Sequence, residues 1–404
     1  MAKIAFINIP AHGHTNPTLP VVRELVNNGH EVLYYSSEEF RDKISKTGVE
    51  FRPYKHWMPS TKEVSERMHA MIDASLMFIE MSETHTAWMI EEMRREQPDL
   101  IIYDTTCMWG YITARVLGIP SICSITHFVL DGSKSTLGFG AIFRHFLTAI
   151  PKLPRIIQWK RKMTTEFGKD NVGGITEYAD LNIVFTSQEF HPENDFTDEH
   201  FHFVGPSIDE TTRDPAQTFQ LTGEGKAVYI SLGTINNLKS DFYRTAFEAF
   251  CDYPAQFILS VGKNTDIAAL QPIPDNFTVY PYVPQLQVLQ QVDAFITHGG
   301  MNSVHEGLYY GVPEIVVPQQ MEQLLNGFRV NQVGAGILLG EKAPYGRVTA
   351  SELRSLLDKI LSDSSYKQQA EHYGKTLRDA GGYPQAVREI EAYINQHVMT
   401  PEPA

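Results

Sequence analysis

Tyr282–Gly336 reads YVPQLQVLQQVDAFITHGGMNSVHEGLYYGVPEIVVPQQMEQLLNGFRVNQVGAG. Short apolar runs, Ala294–Thr297 and Ile315–Val317, alternate with polar segments of helical length. That β-α-β-α rhythm predicts a parallel sheet with crossover helices. The run AFIT ends at His298, Gly299 and Gly300; Asn302 and Ser303 stand at the start of the next helix, and Glu306 lies one turn in. Glycines let a backbone approach a ligand closely, and the N–H groups of a helix N-terminus favour an anion. A carboxylate about one turn further on suits ribose hydroxyls, which donate hydrogen bonds to it. The stretch is therefore a candidate nucleotide seat. An ordinary helix cap would use the same residues, with Asn302 taking N–H groups and Glu306 complementing the dipole.

Outward from this stretch the same rhythm continues. Lys3–Ile9 reads as a first strand and PAHGHT as a loop; Asn16–Pro17 reads as an N-cap and first helical position, with Gly29 ending the helix. Glu31–Ser36 and Val49–Tyr54 are further strands, Asp99–Tyr103 is a fourth ending at Asp104, and Pro120–Thr126 a fifth ending at His127 and Phe128. This is a doubly wound α/β opening without the GxGxxG turn of a dinucleotide dehydrogenase. Pro59–Gln97 is a methionine-rich helical segment, a soft wall or plain core. In Gly138–Met163 apolar residues recur at helical spacing, and Lys152, Arg155, Lys160, Arg161 and Lys162 fall in its second half. That pattern fits a membrane-surface helix, a lid over an apolar acceptor, or a helix packed on its own domain. The polar segment 209–225 has no apolar period and is read as a linker between residues 1–208 and a second wound unit, 226–383; 384–404 is a closing helix and tail expected to cross back onto the first domain.

Composition bounds the function. At 404 residues two domains are the default, and 42% hydrophobic with 20% charged residues is globular. A net charge of −14 argues against a nucleic-acid partner. Cys107, Cys123 and Cys251 form no disulfide or zinc spacing; with no signal-peptide pattern and no run long enough for a membrane span, this reads as a cytoplasmic protein. No Asp-x-Asp triplet is present to hold a divalent metal against a diphosphate, so no metal or other cofactor is expected.

In a parallel sheet, His14 after strand one and Asp104 at the end of strand four emerge on one edge, where they can meet. A neutral imidazole takes a proton from a hydroxyl while a carboxylate behind it holds the tautomer. A helix-capping histidine and a strand-end aspartate are the plain alternative.

The signature stretch, together with GHTNP around His14 and IIYD ending at Asp104, resembles the family 1 glycosyltransferases, the UDP-glycosyltransferases, and within them the bacterial macrolide glycosyltransferase group. The resemblance covers nearly the whole chain. It implies two Rossmann-like doubly wound α/β domains facing across a cleft, the GT-B arrangement. It also implies a metal-independent, inverting transfer of a hexose, glucose first, from a UDP-sugar to a hydroxyl of a small apolar acceptor such as a flavonoid, another phenol or a macrolide. His14 matches the family's general base and Asp104 its partner. Tyr282 stands where the family has a tryptophan stacked on uracil, with Val283 beside it and Gln285 near the ribose. His298, Gly300, Asn302 and Ser303 match diphosphate contacts, Glu306 the ribose carboxylate, Glu322 and Gln323 the pair on the sugar hydroxyls, and Gly233 and Thr234 a loop along the phosphates. The first half is expected to supply the acceptor wall, from His12, Met58, Met77, Phe78, Trp109, Phe128, Phe139 and Phe143. A UDP-sugar epimerase, a lipid glucosyltransferase docked through Gly138–Met163 and a nucleotide-sugar sensor are the rival readings. No integral membrane association is expected.

Overall fold

The structure, a computed structural model, describes residues 1–60, 63–64, 71–129, 149–174, 176–193, 195, 197–210, 218–233, 240–340 and 348–399, with the backbone alone at Met71. It comprises two compact units, Met1–Thr212 with Ala380–Ala404, and Arg213–Asp379.

The first unit runs β1 (Lys3–Ile7), α1 (His12–Asn27), β2 (Glu31–Ser36), α2 (Arg41–Ser45), β3 (Glu50–Pro53), α3 (Met71–Glu96), β4 (Leu100–Asp104), α4 (Met108–Leu117), β5 (Ser121–Ile125), α5 (Leu153–Phe167), β6 (Leu181–Val184) and β7 (Phe201–Phe203). Its sheet is parallel, in the order β3-β2-β1-β4-β5-β6-β7. Strands buried on both faces read as continuous apolar runs, and alternate residues serve opposite sides. Ile4 and Phe6 of β1 join one core cluster with Val32, Tyr34, Leu100 and Ile102. Ala5 and Ile7 join the other with Leu33, Tyr35, Ile101 and Tyr103.

The second unit runs β8 (Lys226–Ser231), α6 (Ser240–Phe250), β9 (Ala255–Ser260), β10 (Phe277–Tyr280), α7 (Gln285–Leu289), β11 (Ala294–Thr297), α8 (Met301–Tyr309), β12 (Glu314–Val316), α9 (Met321–Gln332), β13 (Gly336–Leu338), α10 (Ala350–Ser362) and α11 (Ser364–Asp379). Its sheet repeats the pattern, in the order β10-β9-β8-β11-β12-β13, again parallel. Both orders reverse direction once, at β1/β4 and at β8/β11. In doubly wound sheets that reversal is where ligands bind, outside the carboxyl ends of the strands. The final helix, α12 (Gly382–His397), belongs to the first unit. Its Ala386, Val387, Ile390 and Ile394 fill the same cluster as Leu19, Val22 and Leu25 of α1.

Two sequence expectations change here. Helix α1 begins at His12, with Ala11 as N-cap, so Asn16 is not the cap and Pro17 and Pro20 lie inside the helix. Each proline removes one N–H and crowds the carbonyl four residues back, that of Gly13 for Pro17 and of Asn16 for Pro20, both within the first five residues of α1. Asn16 instead accepts from Lys43 Nζ at 2.5 Å. The consequence is that His14 stands in the first turn of a helix rather than on a loop. The basic run is also accounted for within the unit: Lys152 pairs with Asp73, Arg155 and Lys162 with Glu83, and Lys160 donates to the Val172 and Gly173 carbonyls. Lys152, Arg155 and Lys162 thus tie α5 and the residue before it to α3, while residues 138–148 of that segment lie outside the described residues. Among the described residues no helix is long and apolar enough to cross a membrane.

Burial pushes His85 down to about 4 and His305 down to about 3. Both are buried and neutral in the fold, whereas an unfolded histidine titrates near 6.5. Their share of stability is present above pH 6.5 and is lost as pH falls from there towards 4, by up to about 1.4 kcal/mol per histidine per pH unit. Urea unfolding at pH 7.5, 6.5 and 5.5 is expected to show this decline, and His305→Gln is expected to make it shallower in the second unit's transition. Parallel pH dependence in the two proteins would contradict the assignment.

Candidate active site

Strand β1 pairs with β4 in the register Ile7 to Tyr103, which brings the start of α1 beside the end of β4. There His14 Nδ1 lies 2.7 Å from Asp104 Oδ2. Asp104 is fully buried, while the His14 side chain keeps 19% of its surface exposed. The other carboxylate oxygen, Oδ1, accepts the Thr106 N–H at 2.9 Å and the Thr106 hydroxyl at 2.5 Å. Burial pushes the Asp104 carboxyl up, but the His14 ring and the two Thr106 hydrogen bonds outweigh it, and the group titrates below its ordinary value. A carboxylate at Nδ1 makes that nitrogen the protonated one and leaves the lone pair on Nε2. The geometry therefore builds an oriented base. Two partners that the sequence reading passed over complete it. Thr126 Oγ1 stands 3.0 Å from the same Nδ1, and Asn8 Nδ2 donates to the His14 carbonyl at 3.2 Å. Thr126 follows β5, next to β4, so the sheet order was the signal that could have found it.

In the second unit the turn after β11 is fixed from several sides. Gly299 has a φ of +83°, and a Cβ there would lie 2.5 Å from Val316 Cγ1. Its N–H donates to Thr297 Oγ1 at 3.3 Å and its carbonyl accepts from Asn326 Nδ2 at 2.9 Å. Gly300 is the N-cap of α8 and supplies no side-chain cap, so Asn302 is not the cap. The first-turn N–H groups of a helix have no intrahelical acceptor. The His298 ring lies between two glycines: a Cβ on Gly300 would come within 2.6 Å of its Nε2, and one on Gly233 within 2.8 Å. Gly233 itself has a φ of +82°. Burial pushes His298 down to about 4, and among the described residues its enclosed Nδ1 has no hydrogen-bond partner. One turn on, Glu306 accepts the Gln285 amide at 2.7 Å; Gln285 in turn accepts the Tyr229 hydroxyl at 3.2 Å. Ser303 Oγ is 3.5 Å from Gln285 Nε2. His298, Gly300, Ser303, Glu306, Gln285 and Gly233 thus gather at the β8/β11 reversal.

Other candidates stand differently. Tyr282 is exposed, with Lys263 Nζ 5.7 Å above its ring, whereas the Val283 side chain is core. Glu322 is exposed; Gln323 closes the capping box of α9, its carbonyl accepting the Gln319 and Gln320 N–H groups at 2.8 and 3.2 Å. In the first unit His12 leans on Phe40, with ring centroids 4.9 Å apart. Trp109, Met77 and Phe128 are buried, Trp109 between the Tyr54 and His85 rings and Phe128 against Phe190 and His191. Met58 and Phe78 are half-buried against the same core. Thr234, Phe139 and Phe143 lie outside the described residues. Among the described residues no group of three His, Cys, Asp or Glu side chains is placed to hold a metal ion.

The close approach at His298 yields a direct expectation. Gly300→Ala puts a methyl against the ring, and overpacking of this kind costs about 1–3 kcal/mol. Thermal unfolding of the variant is expected at a lower temperature, together with a shifted His298 imidazole resonance. An unshifted resonance would show that the ring does not need the space.

With this geometry in place, comparison with known proteins is informative. Residues 246–388 match the family described as erythromycin biosynthesis protein CIII-like, C-terminal domain. The NDP-glycosyltransferase YjiC of Bacillus subtilis (strain 168) is 34% identical, over 98% of this chain and 98% of its own. The uncharacterized UDP-glucosyltransferase YojK of the same strain is 31% identical, over 99% of each. Among solved structures, the kitacinnamycin glycosyltransferase superposes with a TM-score of 0.82 at 26% identity, covering 97% of this chain and 99% of that one. Parallel sheets in both units, a paired histidine and aspartate at the first reversal, and full-length similarity to such relatives agree with one another: the chain belongs to the family 1 glycosyltransferases of the macrolide and NDP-glycosyltransferase group, with the GT-B fold.

Proposed function

We propose that this glycosyltransferase moves a hexose, glucose first, from a UDP-sugar to a hydroxyl of a small apolar acceptor, with inversion and without a metal. The observation that carries the reading is the 2.7 Å contact between His14 Nδ1 and Asp104 at the carboxyl edge of the first sheet. In this reading Nε2 takes the acceptor's hydroxyl proton and Asp104 stabilises the imidazolium that forms. The freed oxygen forms a bond to the anomeric carbon from the face opposite the nucleotide. The bond from that carbon to the diphosphate oxygen breaks with its electron pair, and configuration inverts. The first-turn N–H groups of α8 and a neutral His298 receive the charge that develops on the diphosphate. Glu306 takes the ribose hydroxyls, and Tyr282 offers its exposed ring to the base.

Similarity to a UDP-glucosyltransferase and an NDP-glycosyltransferase supports a nucleotide-sugar donor; UDP and glucose are our choice within that class. UDP or TDP release over a panel of UDP- and TDP-sugars, with and without a phenolic acceptor, tests the choice. Turnover of a UDP-sugar with no acceptor present would point to an epimerase instead.

His14→Ala is expected to keep UDP binding, measured by calorimetry, and to lose about a hundredfold or more in turnover, the scale of a lost general base. Acceptors with a low hydroxyl pKa lose less, because they ionise with little help. Unchanged kcat on an unactivated alcohol would remove His14 from the role. Activity is expected to survive dialysis against EDTA; a loss restored by Mg²⁺ or Mn²⁺ would mean that a cation, rather than the helix terminus and His298, carries the leaving-group charge.

A further inference from the structure

Glu314, on β12, has no part in the reaction as described so far. Its side chain is fully buried, and among the described residues neither carboxyl oxygen has a hydrogen-bond partner. The carboxyl lies against the backbone of α8 at the residue after Glu306: a Cβ on Gly307 would sit 2.1 Å from Glu314 Oε1. Glycine at 307 is therefore what gives the carboxyl its space. Glu306, 2% exposed, turns instead to the Gln285 amide at 2.7 Å.

An ionised carboxylate without donors in such a place is strongly disfavoured, and a second carboxylate nearby disfavours it further. Burial first, and the charge of Glu306 second, push the Glu314 carboxyl well above the ordinary carboxylate range. Among the described residues the elements packed around β12 offer no compensating cation at that point. Strand β11 is flanked by Asp293 and His298, and β13 has no titratable group; α8 brings His305 and Glu306, α9 Glu322 and Arg329, and α10 Glu352, Arg354, Asp358 and Lys359. Among the described residues, Glu306 is the one whose charge acts on Glu314.

We propose that Glu314 is a positioning residue for the nucleotide donor, a carboxyl that stays protonated behind Glu306 so that Glu306 alone presents a negative charge to the ribose hydroxyls. This rests on the assignment of the donor seat to α8. When Glu314 loses its proton at alkaline pH, a second negative charge stands beside Gly307, next to Glu306 in the chain, and the seat loses affinity for an anionic nucleotide.

Two measurements test it. The infrared difference spectrum between wild type and Glu314→Gln at pH 7 is expected to contain the carbonyl stretch of a protonated carboxyl; its absence overturns the proposal whether or not any nucleotide binds. Calorimetric Kd for UDP, followed from pH 7 to pH 10, is expected to rise roughly tenfold in wild type, the worth of about one pK unit, and to stay within about twofold in Glu314→Gln. The neutral isostere is expected to match wild type at pH 7. Binding of UDP with the same pH profile in both proteins overturns the role of Glu314 and leaves the donor seat standing. No binding of UDP in either protein, with the infrared band present, overturns the donor seat and with it the positioning role.

Discussion

A parallel sheet whose strand order reverses once leaves an opening at its carboxyl edge, because the helices leaving the two central strands go to opposite faces. Both units of this protein obey that constraint, and His14, Asp104, His298 and the first turn of α8 sit at the two reversals. At the first, the Ile7–Tyr103 register leaves β1 and β4 level, so α1 starts where β4 ends and His14 meets a buried carboxylate. At the second, Thr297 pairs with Ser231, which sets the turn after β11 beside the turn after β8 and lets His298 lie against Gly233. A one-residue slip in either pairing would send these side chains to the wrong face.

The two sites handle charge in opposite ways. Asp104 is buried and ionised, held by the imidazole and by both donors of Thr106. Around α8 the buried groups lean towards neutrality, with His298, His305 and Glu314 all disfavoured in their charged forms. A chain of net charge −14 must receive an anionic nucleotide without repelling it at the point of contact. In the proposed reading the first-turn N–H groups of α8 and a neutral His298 meet the diphosphate, because fixed dipoles act strongly where water is excluded.

Much of this was legible in the residues. Apolar runs of strand length separated by helical segments give the wound architecture, since strands buried on both faces need such runs. Strand ends brought His14 and Asp104 to one edge, and the resemblance of GHTNP and IIYD supplied the roles expected of them. What misled was local punctuation: Asn16–Pro17 has the form of a helix start, yet the helix begins a turn earlier at His12 and carries Pro17 and Pro20 inside it. The acceptor wall was less legible, because buried residues such as Met77, Trp109 and Phe128 look alike in sequence whether they line a cavity or fill a core. Glu314 was invisible for a related reason. A glutamate in GVPEIVV reads as a strand-edge residue, and only the packing of Gly307 shows how deep it lies.

The return of α12 to the first unit has a consequence for biosynthesis. Residues 386–394 complete a core begun by residues 2–51, so the second unit is an insertion within the first in the order of synthesis. Chain growth from the N-terminus delivers all of Arg213–Asp379 before the last strip of the first core emerges from the ribosome. The second unit can therefore close while the first still exposes the apolar groove of Leu19, Val22 and Leu25. During that interval the nascent first unit is the part of the protein that chaperones and proteases can reach.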